Sequence, residues 1–188
     1  MHIFFNLCKE AEQFSDENHC PVFHSKLPNL GSNTKELNMQ LWENGKSKMV
    51  ACTSLFGAGV DKPGVRFVII HAPKYNLMSM LQAARRAGRK GTESHVFFTI
   101  TGKAGPSPPD GCSDVDMRWQ LGQLLYSGRC KVYQVMEYMD GKTLAKRCGQ
   151  IPNQVHCDVC YPDGEVHRLA LWAAKEEYPP CPLNNNRA

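Results

Sequence analysis

The stretch that decides the fold is Met49-Val50-Ala51-Cys52, then Thr53-Ser54-Leu55-Phe56-Gly57-Ala58-Gly59-Val60-Asp61, then Phe67-Val68-Ile69-Ile70. Each four-residue apolar run is a predicted strand, and a polar loop follows the first of them. Short apolar runs of this kind are typical of parallel strands that are buried on both faces. Ligands of parallel sheets bind at the carboxyl ends of the strands. The loop after Cys52 is therefore a candidate binding site.

Strand and helix patterns alternate on both sides of this stretch. Further strands are predicted at Ile3-Phe4-Phe5, Pro21-Val22-Phe23 and Val96-Phe97-Phe98. Helices are predicted over 9–14, over 33–44 and from Asn76 to the segment 82–91, with Asn33 and Glu36 as a capping box for the second. This alternation predicts an α/β fold with a parallel sheet.

The loop and the end of the third predicted helix both favour anion binding. Gly57 and Gly59 allow backbone N–H groups to approach a ligand closely, because they carry no Cβ. Arg86 and Arg89 are three residues apart and can direct two guanidinium groups at phosphate oxygens. The alternative for the arginines is a solvated basic helix end, which the helix dipole favours.

Three segments resemble RecQ-type DNA helicases of superfamily two, in the family's order. Residues 23–27 resemble the short aromatic and histidine motif, residues 52–63 resemble motif V, and residues 82–91 resemble motif VI. The resemblance implies a RecA-like parallel sheet with flanking helices, followed by a small helical zinc-binding module. Its expected boundaries are 1–101 for the RecA-like domain, 102–113 for a linker, 114–178 for the zinc module and 179–188 for a flexible tail.

The resemblance also implies roles for individual residues. The expected DNA-backbone contacts are His24, Ser25, Lys26, Thr53 and Ser54. The residues expected to face the nucleotide are Gly59, Asp61 and Gln82, and Arg86 and Arg89 are expected to stabilise charge on the transferring phosphoryl group. Taken alone, His24 reads as a surface loop histidine. Ala83, Arg85 and Lys90 replace the Glu, Gly and Asp of the family pattern, which argues against full catalytic competence.

Four of the nine cysteines follow the predicted linker and form a candidate metal site: Cys130, Cys148, Cys157 and Cys160. The last two form a C-x-x-C, whose thiolates can bind one ion, and four thiolates complete a structural zinc site with no open position for catalysis. The alternative is that Cys130 and Cys148 are ordinary buried thiols. In RecQ relatives a Cys followed by a basic residue starts a helix, and Cys-Asp-x-Cys ends the module. The wide gap between Cys148 and Cys157 departs from the usual spacing of the family and resembles the irregular spacings of fungal RecQ-like helicases, including telomere-linked ones.

Composition limits the remaining function classes. The formal net charge of +4 permits nucleic-acid binding without requiring it. The sequence has no apolar run near the ~20 residues that span a bilayer and no signal-peptide pattern at its start, so no membrane partner is expected. Because this leaves a secretory route without support, metal ligation is favoured over disulfides. The expected location is the nucleus.

The predicted function is the C-terminal part of an ATP-dependent 3′–5′ DNA helicase that binds single-stranded or junction DNA without sequence preference. Gly141-Lys142-Thr143 and Asp16-Glu17-Asn18-His19 imitate a phosphate loop and a D-E-x-H motif, but they are predicted to be a turn and a solvated helix end. The chain is therefore expected to be inactive alone and to use ATP and Mg²⁺ only with a first RecA-like domain in trans. The alternative is a non-catalytic zinc module that binds nucleic acid or protein.

Overall fold

A computed structural model of the chain describes residues 1–27, 34–53, 64–71, 77–99 and 113–161. The contacts divide these residues into two compact units, one before residue 102 and one after it. The predicted linker up to residue 112 and the predicted tail lie outside the described residues, so their boundaries stay predictions.

The first unit contains a five-stranded sheet in the order β2-β3-β1-β4-β5. The strands are β1 (His2–Phe4), β2 (Val22–Phe23), β3 (Val50–Cys52), β4 (Phe67–His71) and β5 (His95–Thr99). All neighbouring strands pair in parallel, and Ile3 lies opposite both Ala51 and Ile69. The predicted α/β class with a parallel sheet is confirmed.

Three helices accompany the sheet: α1 (Cys8–Asn18), α2 (Thr34–Glu43) and α3 (Leu77–Ala84). Each places apolar side chains in the core, and Ala11, Trp42 and Met80 are at most 1% exposed. Buried polar groups on these helices are satisfied, since Asn38 Nδ2 donates to the carbonyl oxygen of Val22 at 2.9 Å. The predicted capping residues Asn33 and Asn76 lie outside the described residues.

The prediction that the third helix reaches the segment 82–91 as one helix end is wrong. Helix α3 ends at Ala84, Arg86 follows in a turn, and Arg89 begins a 3-10 helix that spans Arg89–Gly91. Gly88 causes the change of direction, because its φ of 69° is left-handed and its N–H donates to the carbonyl oxygen of Val65 at 3.1 Å. The two arginines are therefore not spaced by a single helix.

The second unit begins with two helices, α4 (Ser113–Tyr126) and α5 (Lys131–Asp140). Leu121 and Leu124 of α4 are buried, as their helical spacing predicts. A 3-10 helix follows at Cys148–Gln150, and turns occupy residues 158–160. The predicted last helical pattern from Val166 onward lies outside the described residues. Among the helices that the structure describes, none is long and apolar enough to cross a bilayer.

The two segments that imitate helicase motifs have the predicted local structure. Asp16 and Glu17 are exposed in the last turn of α1, and Lys142 and Thr143 lie in an exposed turn after α5. Neither follows a strand, so neither forms a nucleotide cradle.

Candidate metal centre and nucleotide-facing edge

Four thiols meet in the second unit. The Sγ atoms of Cys130, Cys148, Cys157 and Cys160 all lie within 4.8 Å of one another. Cys130 Sγ is 3.4 Å from that of Cys148 and 4.0 Å from that of Cys157. Thiolates 2.3 Å from a tetrahedral Zn²⁺ ion are about 3.8 Å apart, so the spacing suits zinc. The structure brings together all four predicted ligands.

Short local structures place these sulfurs. Cys130 is the N-cap residue of α5, and Cys148 opens the 3-10 helix. In the C-x-x-C, the N–H of Cys160 donates to the carbonyl oxygen of Cys157 at 3.1 Å, which closes a tight turn. The N–H of Cys157 points at Cys148 Sγ from 3.4 Å. Such an N–H group stabilises a thiolate, so the backbone is arranged for ionised sulfur.

The four thiols differ in how readily they ionise. Burial opposes ionisation of Cys130, but backbone groups at Tyr133 and Cys148 and the neighbouring thiols favour its thiolate and lower the pKa to about 7. Burial, together with the neighbouring thiols Cys130 and Cys157, raises the pKa of Cys148 to about 11. Burial likewise leads the causes that raise the pKa of Cys160. Without an ion, the cluster favours one thiolate that its protonated neighbours stabilise.

The ligand segments are also linked through residues around the sulfurs. Lys131 Nζ lies 3.5 Å from Asp158 Oδ2 and donates to the carbonyl oxygen of Leu124 at 3.2 Å. This cation therefore links the C-x-x-C to α4 and α5. Two further residues, Gln134 and Gln150, were not predicted from the sequence, and their side chains are hydrogen-bonded to the backbone beside Cys130 and Cys148. No sequence motif marks such outer-sphere contacts.

At the carboxyl edge of the sheet, the described residues that are predicted to contact DNA form a buried group and an exposed group. The N–H of Thr53 donates to the carbonyl oxygen of Phe23 at 3.2 Å, which places Thr53 beside His24. Both are buried, at 7% and 0% exposed, whereas Ser25 and Lys26 are exposed. Of these four described residues, Ser25 and Lys26 are the two whose side chains are open to solvent.

The interpretation of His24 as a surface loop histidine is wrong. Its Nε2 lies 2.9 Å from Oε1 of Glu12, a half-exposed carboxylate on α1. Packing of α1 against β2 and β3 covers the imidazole, a tertiary effect that the polar neighbours Ser25 and Lys26 do not reveal. A DNA contact by His24 stays a prediction and requires the loop to open.

The nucleotide-facing residues are only partly within the described residues. Gly59 and Asp61 lie outside them, as does Ser54, which is one of the predicted DNA contacts. Gln82 is exposed, while Arg86 and Arg89 are partly exposed. Burial raises the pKa of Cys52, and the positive charge of Arg86 is among the groups that oppose the rise. The guanidinium of Arg86 therefore lies close enough to influence the end of β3, where the motif V segment begins.

Comparison with known proteins agrees with the resemblance to helicases that the sequence motifs indicate. Residues 1–91 match the family "Helicase conserved C-terminal domain". The ATP-dependent DNA helicase Q-like 2 of Arabidopsis thaliana is 28% identical over 118 residues, covering 63% of this chain. The ATP-dependent DNA helicase RecQ of Synechocystis is 32% identical over 125 residues, 66% of this chain. A putative ATP-dependent RNA helicase, R290 of Acanthamoeba polyphaga mimivirus, is 35% identical over 159 residues, 79% of this chain.

These relatives are much longer than the present chain, whose matches cover 15%, 23% and 27% of their lengths. The family model covers the first four strands of the sheet, and the longest of the three matches covers more of the chain than the family model does. Residues 1–91 form a helicase conserved C-terminal domain with four strands of the parallel α/β sheet, and the chain resembles the C-terminal half of RecQ-type helicases of superfamily two.

Proposed function

We propose that the chain is the C-terminal part of a RecQ-like helicase that couples ATP hydrolysis to 3′–5′ unwinding of DNA. Its first unit supplies residues that face DNA and nucleotide, and its second unit holds a structural zinc ion. The observation that supports this most strongly is the order of its parts. A helicase C-terminal domain on a parallel sheet is followed by four clustered thiols, as in the family.

DNA binding is proposed for the carboxyl edge of the sheet. Lys26 and Ser25 are exposed directly after β2, and Lys35 holds this segment by donating from Nζ to the carbonyl oxygen of Ser25 at 3.2 Å. Thr53 and Ser54 follow β3, and His24 underlies the exposed pair. Contacts of this kind are made to phosphates, so we expect binding to be independent of sequence and sensitive to salt.

We propose that ATP hydrolysis also requires phosphate-binding residues that a separate domain supplies. Gln82, Arg86 and Arg89, with Gly59 and Asp61 of the motif V segment, would face the nucleotide. The 188 residues contain no G-x-x-x-x-G-K-[ST] sequence that would bind the phosphates and Mg²⁺. A polypeptide of these residues should therefore hydrolyse ATP only when a first RecA-like domain is supplied in trans. A protein with this role would act in the nucleus.

A non-catalytic binding module derived from a helicase is the second candidate. The observation that favours it is the motif VI segment, where Arg85 stands in place of glycine, Ala83 in place of Glu, and α3 ends at Ala84. The thiol cluster does not depend on these substitutions, so zinc and nucleic-acid binding would remain without ATP turnover.

The DNA-binding part is tested by fluorescence anisotropy with the full chain and labelled single-stranded DNA, a junction and single-stranded RNA. Lys26→Ala should weaken binding about threefold and reduce the salt slope by about 0.7, the loss of one phosphate contact. Lys46→Ala is the matched control, because Lys46 is also exposed but precedes β3, at the opposite edge of the sheet. Equal effects of the two substitutions would contradict the assigned edge. Tighter binding to RNA than to DNA would contradict the substrate.

The two candidate functions are separated by ATPase assays on the chain mixed with a first RecA-like domain of a RecQ helicase. DNA-stimulated turnover that is lost in Arg86→Ala supports the helicase part. No turnover, with one zinc ion and DNA binding retained, supports the non-catalytic module. Turnover by the chain alone would contradict both proposals.

A further inference from the structure

A buried glutamine fixes the backbone next to the first ligand cysteine. Gln134 lies one turn after Cys130 in α5 and is 8% exposed. Its Nε2 donates to the carbonyl oxygen of Arg129 at 3.0 Å, and its Oε1 accepts from Ser127 Oγ at 3.1 Å. The Arg129 carbonyl belongs to the peptide that carries the Cα of Cys130. The side chain therefore fixes the orientation from which Cys130 projects its sulfur.

A second glutamine does the same beside Cys148. Gln150 is exposed in the 3-10 helix, and its Oε1 accepts from the backbone N–H of Arg147 at 2.8 Å. Its own N–H donates to the carbonyl oxygen of Arg147 at 2.9 Å, so the two residues form a reciprocal cap. Arg147 immediately precedes Cys148, as Arg129 immediately precedes Cys130. In both cases a glutamine carboxamide is hydrogen-bonded to the backbone of the residue that precedes a ligand cysteine.

We propose that Gln134 and Gln150 are positioning residues that hold Cys130 and Cys148 in ligating geometry before an ion binds. The inference rests on the metal centre of the proposed function and adds a role for residues that do not touch the ion. A loop that is ordered beforehand does not lose conformational entropy when the ion binds, so its affinity for metal is higher. Loss of such outer-sphere contacts typically weakens metal binding 10-fold to 100-fold.

The two glutamines use opposite ends of the carboxamide. Gln134 acts on Arg129 as a donor, whereas Gln150 acts on Arg147 as an acceptor. An ionised glutamate keeps the acceptor and loses the donor. Gln134→Glu should therefore weaken metal binding as Gln134→Leu does, whereas Gln150→Glu should restore what Gln150→Leu loses. A general loss of packing would not produce this difference.

The experiment titrates the full chain with Co²⁺, using the thiolate-to-metal absorption as readout, and repeats it with Zn²⁺ against a chelator. Gln134→Leu, Gln134→Glu and Gln150→Leu should bind about 10-fold or more weakly, and Gln150→Glu within about twofold of the parent chain. The absorption spectrum at saturating Co²⁺ should stay unchanged, because the four ligands remain. Gln154→Leu is the control, since Gln154 is exposed and its side chain donates to the carbonyl oxygen of the neighbouring Val155.

The outcomes separate this inference from the metal centre itself. A parent chain that binds neither ion through thiolates would refute the proposed zinc site. The positioning roles alone would be overturned if the parent chain binds one ion and both leucine variants bind it with the same affinity as the parent chain. They would also be overturned if Gln150→Leu and Gln150→Glu bind the ion equally weakly. Should Gln134→Leu fail to fold, Ser127→Ala decides, because Ser127 is exposed and its hydroxyl donates to Gln134. It should lower affinity about threefold, and no change would overturn the role of Gln134.

Discussion

The Sγ atoms of Cys130 and Cys148 lie 3.4 Å apart, although the residues are 18 positions apart in the sequence. Both are buried, at 6% and 0% exposed, while their partners Cys157 and Cys160 are partly exposed. The cluster therefore has a covered side that faces the core of the unit and an open side at the C-x-x-C. An ion bound between the four sulfurs would join both sides.

We expect Cys157→Ser to abolish zinc binding and to unfold the second unit while the first unit stays folded. A four-thiolate site contributes on the order of 10 kcal/mol to the folding of a small module, and a hydroxyl does not replace the thiolate. Zinc content and a thermal melt followed by circular dichroism measure both effects. Cys8→Ser is the control, because Cys8 begins α1 in the first unit. Unchanged zinc stoichiometry in Cys157→Ser would contradict the site.

Metal affinity should fall more steeply with acidification below pH 7 than above it. The pKa of Cys130 is about 7 and that of Cys148 about 11 in the metal-free cluster. Above pH 7 the Cys130 sulfur is already ionised, whereas below it one more proton must leave when the metal binds. The slope of the logarithm of affinity against pH should therefore increase by about one. Co²⁺ titrations between pH 6 and 8 measure the slope, and a constant slope would contradict the assignment to Cys130.

Gly88→Ala should destabilise the first unit more than Gly91→Ala. Both glycines have left-handed φ, of 69° and 74°, so both substitutions add backbone strain of about 1 kcal/mol. Only at Gly88 would the new Cβ also clash, 3.1 Å from the carbonyl oxygen of Thr92 and closer still to Ser94 Oγ. We expect a total loss of about 2–4 kcal/mol there. Urea unfolding measures both variants, and equal losses would show that the turn adapts.

His24→Ala should lower stability rather than DNA affinity. The imidazole has no exposed surface and packs between α1 and the sheet, so its removal leaves a cavity that costs about 1–3 kcal/mol. Urea unfolding and anisotropy at a temperature where the protein is folded separate the two effects. Ser25→Ala, at the exposed neighbouring position, should leave stability unchanged. A large loss of DNA affinity with unaltered stability would instead support the DNA contact predicted for His24.

The sequence was sufficient to predict the parts of the fold that depend on local apolar runs. The apolar runs that begin at Met49 and Phe67 predicted β3 (Val50–Cys52) and β4 (Phe67–His71), because β-branched and apolar side chains lie on both faces of these strands. The end of α3 was not predictable in this way, since Ala83, Ala84 and Arg85 all favour a helix. Its end depends on the hydrogen bond from Gly88 to Val65, which is made only after β4 is in place.

In the candidate site, too, some residues could be predicted from the sequence and others could not. Cys157 and Cys160 could be identified from their spacing, whereas Cys148 had an unusual distance to them and joins the cluster through a short 3-10 helix. The burial of His24 and the roles of Gln134 and Gln150 come from packing between segments distant in sequence or from backbone hydrogen bonds. Neither leaves a pattern of residue types. Tertiary contacts therefore decide the details that sequence spacing leaves open.

The central position of β1 has a consequence for synthesis on the ribosome. This strand precedes both of its neighbours, pairing with β3 from Val50 and with β4 from Val68. In a nascent chain the apolar residues Ile3 and Phe4 therefore stay exposed to aggregation until Cys52 has emerged, because a parallel pair cannot close locally. Chaperone binding to this early segment would protect it during that delay.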